Sequence, residues 1–121
     1  MTQLFVNNAA STLASGINNS DTSLTLASGQ GALFPTITGG NTFLLTLTQA
    51  TTETSWEIVS VTARSTDTLT IVRAQEGTTA AAWATGSKAE ARLTAGTMTA
   101  ALSVSSGVSI SDALALSIAL G

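Results

Sequence analysis

Apolar residues alternate with small polar ones over much of the first ninety positions. That is the period of a β-strand with one buried face. The clearest run is Ser55–Arg64, rich in β-branched residues, followed after Ser65-Thr66-Asp67 by Thr68–Arg73. Two such runs around three small polar residues predict a β-hairpin. On its second strand Leu69 and Ile71 share one face, with Thr68, Thr70 and Val72 opposite. Thr42–Thr48 predicts another strand, entered through the turn Gly39-Gly40-Asn41. Ser23–Leu26, Leu4–Val6 and Lys88–Leu93 predict three short ones, the last entered through Gly86. Ala74–Thr85 reads as an ordered loop anchored by Trp83. Six short strands with polar turns define a mainly β fold, a small antiparallel β-sandwich or barrel. Its predicted core draws on Phe5, Leu24, Leu26, Phe34, Phe43, Leu45, Trp56, Ile58, Val59, Leu69, Ile71, Trp83 and Leu93.

The pattern changes after Thr94. Thr94–Leu102 predicts a short helix. From Val108 to Leu120 every even position except Asp112 is large and apolar, and every odd one is Ser or Ala. This alternation argues for a strand, yet Asp112–Leu120 is also made of helix formers that Ser111 or Asp112 can cap. Either conformation leaves an apolar face with almost no charge, and such faces associate in water. The chain therefore divides into a β-rich domain, residues 1–95, and a C-terminal self-association segment, residues 96–121. The expected oligomer interface comprises Val108, Ile110, Leu114, Leu116, Ile118 and Leu120.

Composition narrows the function. Among 121 residues there are 22 Thr and 15 Ser but no Cys and no His. Soft-ligand zinc and copper sites, and Ser-His or Cys-His triads, therefore lack their essential groups. Neither a metal nor a cofactor is expected. Charged residues make up 9% of the chain, the net charge is −3, and nine of the eleven charges lie between Glu53 and Arg92. Three scattered arginines give no electrostatic footprint for nucleic acid. No run of about 18 apolar residues predicts a membrane span, and Met1–Ala10 does not read as a signal peptide. A chain that is 44% hydrophobic and nearly uncharged does not fit the disordered class. So little charge would let neighbours cover the surface with little desolvation cost, which suits a subunit of an assembly.

Several motifs have plain structural readings. Gly29-Gln30-Gly31 opens like a dinucleotide fingerprint, but Phe34 stands where the third glycine belongs and Pro35 interrupts any following helix. It reads as a glycine-rich turn. Asn18-Asn19-Ser20 matches a glycosylation sequon and also reads as a turn. Glu53 and Glu57 would share a strand face, but acid–base work needs one of them buried with a raised pKa. Both read as solvated residues of a strand edge. Lys88, Glu90 and Arg92 form a row of surface charges better explained by pairing than by a Ser-Lys dyad. Arg73–Thr78 reads as a fixed loop in which Gly77 takes a backbone angle closed to other residues and Arg73 can pair with Glu76.

Glu57–Arg64, the Ser-Thr-Asp turn and Leu69–Thr78 resemble a module of tailed-bacteriophage virion proteins. In that family a strand of the form VxVTAR leads to a strand and loop of the form LTVVRGQEGT. An aromatic-containing loop and a strand ending in LRLT follow; Trp83, Gly86 and Ala91-Arg92-Leu93-Thr94 occupy those places here. Leu4–Ala10 is similar to the family's opening, and Ala74 stands where the family has Gly. The resemblance implies an N-terminal attachment module of tail-fibre and small virion structural proteins, made in the bacterial host cytoplasm and carried in the virion. It implies a short tail or neck fibre, or a fibre-anchoring subunit, that docks on the tail or connector. It also implies partners: further copies of the chain, as a homotrimer, and other virion proteins of tail, connector or capsid. No catalysis, nucleic acid or membrane enters. Arg73, Gln75, Glu76, Gly77 and Thr78 form the family-motif loop. Composition leaves two alternatives open, a capsid cement protein on the head shell and a carbohydrate-binding module or small glycan hydrolase using Trp56 and Trp83.

Overall fold

The computed structural model describes residues 3–104. In chain order the elements are β1 (Ala10–Thr12), β2 (Ser23–Thr25), a 3-10 turn (Gln30–Leu33), β3 (Phe43–Thr48), β4 (Trp56–Ser65), β5 (Thr68–Gln75), β6 (Lys88–Glu90) and α1 (Ala95–Val104). The six strands form one antiparallel sheet in the order β1-β6-β3-β4-β5-β2. The sheet curls into a half-barrel, in line with the mainly β expectation. Its two edges meet at one end. There Leu13 bridges Leu26, with Ala14 N donating to Thr25 O at 2.8 Å and Ala27 N to Thr12 O at 2.9 Å. Among the described residues no helix is long and apolar enough to cross a membrane.

The β4–β5 hairpin turns through Thr66 and Asp67, with Ser65 paired to Thr68 and Thr66 in the left-handed region at φ 57°. Its tip is fastened to the 3-10 turn. The Asp67 carboxylate accepts hydrogen bonds from Gly29 N at 3.0 Å and Gly31 N at 2.8 Å. These two N–H groups hold the Asp67 pKa below its usual value. Gly31 is required by this approach, since a Cβ there would lie 1.9 Å from the Thr66 carbonyl oxygen. Gly29-Gln30-Gly31 is thus a turn, as its sequence predicts. So is Asn18-Asn19-Ser20, in which Asn18 Oδ1 accepts from Ser20 N at 2.8 Å.

The core lies inside the curl. Phe43, Leu45 and Leu47 of β3 meet Val59 and Val61 of β4, Leu69 and Ile71 of β5, and Ala89 of β6. Phe34 stacks on Phe43 with ring centroids 5.7 Å apart. Leu13, Leu24, Leu26, Ile17 and Trp83 fill the rest. Fully burying each large side chain contributes roughly 1.5–3 kcal/mol as an upper estimate.

The structure corrects three sequence expectations. Leu4–Val6 is not a strand. Gln3 makes one parallel bridge to Thr42, and after Asn8, left-handed at φ 53°, the chain joins the sheet as Ala10–Thr12. The last strand ends at Glu90, not Leu93, although Ala91 N still donates to Ala9 O at 2.9 Å. Phe5, Trp56 and Leu93 are not core residues: they are 66%, 58% and 65% exposed, and Ile58 is half-buried. The reason on β4 is strand phase. Glu57, Val59 and Val61 point inward, which sends Trp56 and Ile58 to the opposite face. The predicted helix is present as α1. Val108, Ile110, Leu114, Leu116, Ile118 and Leu120 lie outside the described residues.

Candidate functional site

The loop Arg73–Thr78 is built on a buried ion pair. Glu57 sits in β4 facing the core and is fully buried, although its sequence neighbourhood reads as a solvated edge. It is not a member of a paired-carboxylate site with Glu53, which precedes the strand. Arg73 Nε lies 2.8 Å from Glu57 Oε2 and Arg73 Nη2 lies 2.8 Å from Oε1, a bidentate pair. Three more donors converge on the carboxylate: Ala74 N at 3.0 Å, Ala81 N at 3.1 Å and Trp83 Nε1 at 3.0 Å. Burial alone would raise the Glu57 pKa. The bonds from Arg73, Trp83, Ala74 and Ala81 outweigh it and lower the carboxyl to about 2. Arg73 uses its remaining N–H groups on the carbonyls of Asn18, at 2.7 Å, Asp21, at 3.0 Å, and Ala81. One guanidinium therefore ties β4, the loop after β1 and the loop after β5 together. Arg73 pairs with Glu57, and Glu76, the partner expected from sequence, turns elsewhere.

A β-bulge makes this possible. Ile58 pairs with Gln75 and Ser60 with Val72, so Arg73 and Ala74 together face Val59. Ala74 takes a left-handed φ of 54° and directs its N–H to Glu57. That conformation costs a non-glycine residue roughly 1–2 kcal/mol, partly offset because Gly loses more backbone entropy on folding. Ala74→Gly is expected to stabilise the domain by about 0.5–1 kcal/mol, read as a raised urea midpoint. A lowered midpoint would mean that the Ala74 methyl group packs usefully.

The rest of the loop has equally definite tasks. Thr78 Oγ1 accepts from Ile58 N at 3.1 Å and donates to Gln75 O at 2.6 Å, closing the gap that the bulge opens. Gln75 Nε2 donates to Arg73 O at 3.0 Å. Gly77 has φ 78°, as the sequence predicts. Glu76 reaches α1: its Oε1 accepts from Gly96 N at 2.8 Å, and its Oε2 accepts from Thr94 Oγ1. Thr94 in turn accepts from Thr97 N at 3.2 Å, the bond of an N-cap. A Cβ at Gly96 would stand 2.5 Å from the Glu76 carboxyl carbon, so a larger residue there would push this side chain off the helix.

The charged row is a network. Lys88 pairs with Glu53 at 3.1 Å, Arg92 pairs with Glu53 at 3.0 Å, and Arg92 also pairs with Glu90. The bonds from Lys88 and Arg92 lower the Glu53 pKa. Exposed pairs of this kind contribute little stability. Trp56 stands exposed between two open grooves of about 690 and 700 Å³. Glu53, Glu76 and Arg92 line the second groove and are already paired within the fold. Trp83 is buried with its indole N–H on Glu57, so it offers no platform for a sugar ring. Among the described residues no cluster of metal-ligating side chains occurs. No family model matches the chain, and no curated protein is similar to it.

Proposed function

We propose that the chain is an attachment module of a tailed-bacteriophage particle: a short tail or neck fibre, or a fibre-anchoring subunit. It docks on the tail or connector and self-associates through residues 96–121, with a trimer as the expected state. One observation carries the choice of a binding role over a chemical one. Each of the ten charged side chains among the described residues has a partner within the fold. Glu57, the one buried carboxylate among the described residues, is held ionised by five donors, which suits neither a general acid nor a general base near neutral pH. The placement in a phage rests on the sequence resemblance. Arg73, Glu76, Gly77 and Thr78, which carry that resemblance, each help to hold the loop.

The test is immunogold labelling of intact phage particles that encode the chain. Label on the tail or neck is the expected result. Label spread over the head shell would make the chain a cement protein, and purified particles without the chain would overturn the virion reading altogether.

A further inference from the structure

Trp56 is set apart by its position. It opens β4, paired with Thr48, and the inward turn of Glu57 sends its indole outward. Strand pairing fixes the backbone, so this exposed indole is carried on a rigid element. It lines both open grooves, which differ in chemistry. Among the described residues no charged side chain lines the first. Its polar groups are an amide and hydroxyls, those of Gln49, Ser55, Thr79 and Thr85 among them. Gln49 and Ser55 lock one another: Gln49 Nε2 donates to Ser55 Oγ at 2.5 Å, and Ser55 N donates to Gln49 Oε1 at 3.0 Å. Thr79 and Thr85 are exposed, and their hydroxyls make no hydrogen bond among the described residues. In the second groove Glu53 is held by Lys88 and Arg92, and Glu76 by Thr94 and Gly96.

These surroundings select against an ionic ligand. The first groove offers no countercharge, and the carboxylates of the second are engaged within the fold, so neither groove is built to hold a cation on the indole. A wholly apolar ligand would cover the Thr79 and Thr85 hydroxyls without bonding them, at a desolvation cost. The class that fits is a neutral ring with an apolar face and hydroxyls around its edge. The negative face of an indole attracts the weakly positive C–H bonds of such a ring. Amides and hydroxyls both donate and accept, as the hydroxyls of the ring do.

We propose that Trp56 is the platform of a site for a neutral oligosaccharide. One sugar unit stacks on the indole and its neighbours run into the two grooves. Gln49, Thr79 and Thr85 bond the hydroxyls in the first groove. A chain of sugars reaches both grooves, whereas a single sugar reaches one. This site is additional to the docking role and does not rest on it.

The experiment titrates the full chain and follows its two indole N–H signals by NMR. Trp83, buried and bonded to Glu57, is the internal control. Maltohexaose, chitohexaose and mannohexaose are the probes, with glucose as the single-unit comparison. At least one hexaose is expected to shift the Trp56 signal saturably and leave that of Trp83 in place, and glucose to shift it less at equal concentration. Trp56→Ala should lose the binding, read by calorimetry, with an unchanged thermal melt and the Trp83 signal retained. The double variant Thr79→Val/Thr85→Val should weaken it severalfold. The site is overturned by a Trp56 signal that no hexaose moves, by binding that survives Trp56→Ala or is untouched in the double variant, or by glucose matching the hexaoses. Particle labelling is independent of this result: a labelled particle whose chain ignores all three hexaoses would sink the site and leave the virion reading standing.

Discussion

Glu57→Ala is expected to destabilise the domain by about 3–5 kcal/mol, the range for removing one partner of a buried ion pair. The loss is larger than that of a single contact. It strands the Arg73 guanidinium, which is 9% exposed, and leaves Trp83 Nε1, Ala74 N and Ala81 N without their acceptor. Chemical denaturation at neutral pH measures it directly. The same carboxylate predicts a pH dependence. Its pKa is depressed from 4.5 to about 2 on folding, so the unfolded chain binds the proton first as pH falls. The stabilisation is therefore complete above about pH 4.5 and is lost progressively toward pH 2. Glu57→Gln removes this titration. Its denaturation midpoint should start lower at pH 7 and fall less between pH 5 and pH 2.5 than that of the wild type. Equal acid sensitivity in the two proteins would show that other carboxylates govern acid unfolding.

Gly31→Ala is the second large effect, about 3 kcal/mol, at the upper end for overpacking. The new Cβ would sit 1.9 Å from Thr66 O, 2.8 Å from Thr66 C and 3.0 Å from Asp67 Cα. All three are backbone atoms, so no side-chain rotation relieves the clash. The hairpin tip has to lift, which breaks both backbone bonds to the Asp67 carboxylate. Gly39→Ala is the control. Its Cβ meets nothing within 4 Å, and its φ of 59° predicts a cost of only about 1 kcal/mol. A loss at Gly31 no larger than that at Gly39 would mean that the hairpin tip moves off the 3-10 turn at little cost.

The sequence shows the hairpin, β3, β2 and the helix because each is a local pattern. Leu69 and Ile71 alternate with Thr, and Thr94 precedes a run of helix formers. What it hides is the phase of β4. Trp56 and Ile58 are its bulkiest apolar residues, and they suggest the wrong inward face. The inward face is Glu57, Val59 and Val61, which is acceptable only because Arg73, sixteen residues on, delivers its countercharge through a bulge. One signal was available. The opposite face would have placed Ser60 and Thr62 inward, and Arg73 was the nearest cation on the predicted neighbouring strand. β1 is illegible for another reason. Ala10–Thr12 has no hydrophobic pattern, since its place is set by pairing with Lys88–Glu90. Of the candidate site, Gly77 was legible from its residue type. The reach of Glu76 to α1 was not, because it depends on how the chain returns after β6.

The pairing of Ala10 with Glu90 also bears on how the domain is made. The β4–β5 hairpin can form as soon as it leaves the ribosome, its contacts being near neighbours in the chain. The first strand has to wait for the last, and pairing across such a separation is slow. Until Glu90 emerges, β3 presents an unpaired edge, and Phe43–Thr48 carries no charge to repel a stranger. Where many copies are translated side by side, the β6 of one nascent chain can fill the gap in another. Exchange of this strand is the expected misassembly, and it would yield intertwined dimers whose barrels are individually intact.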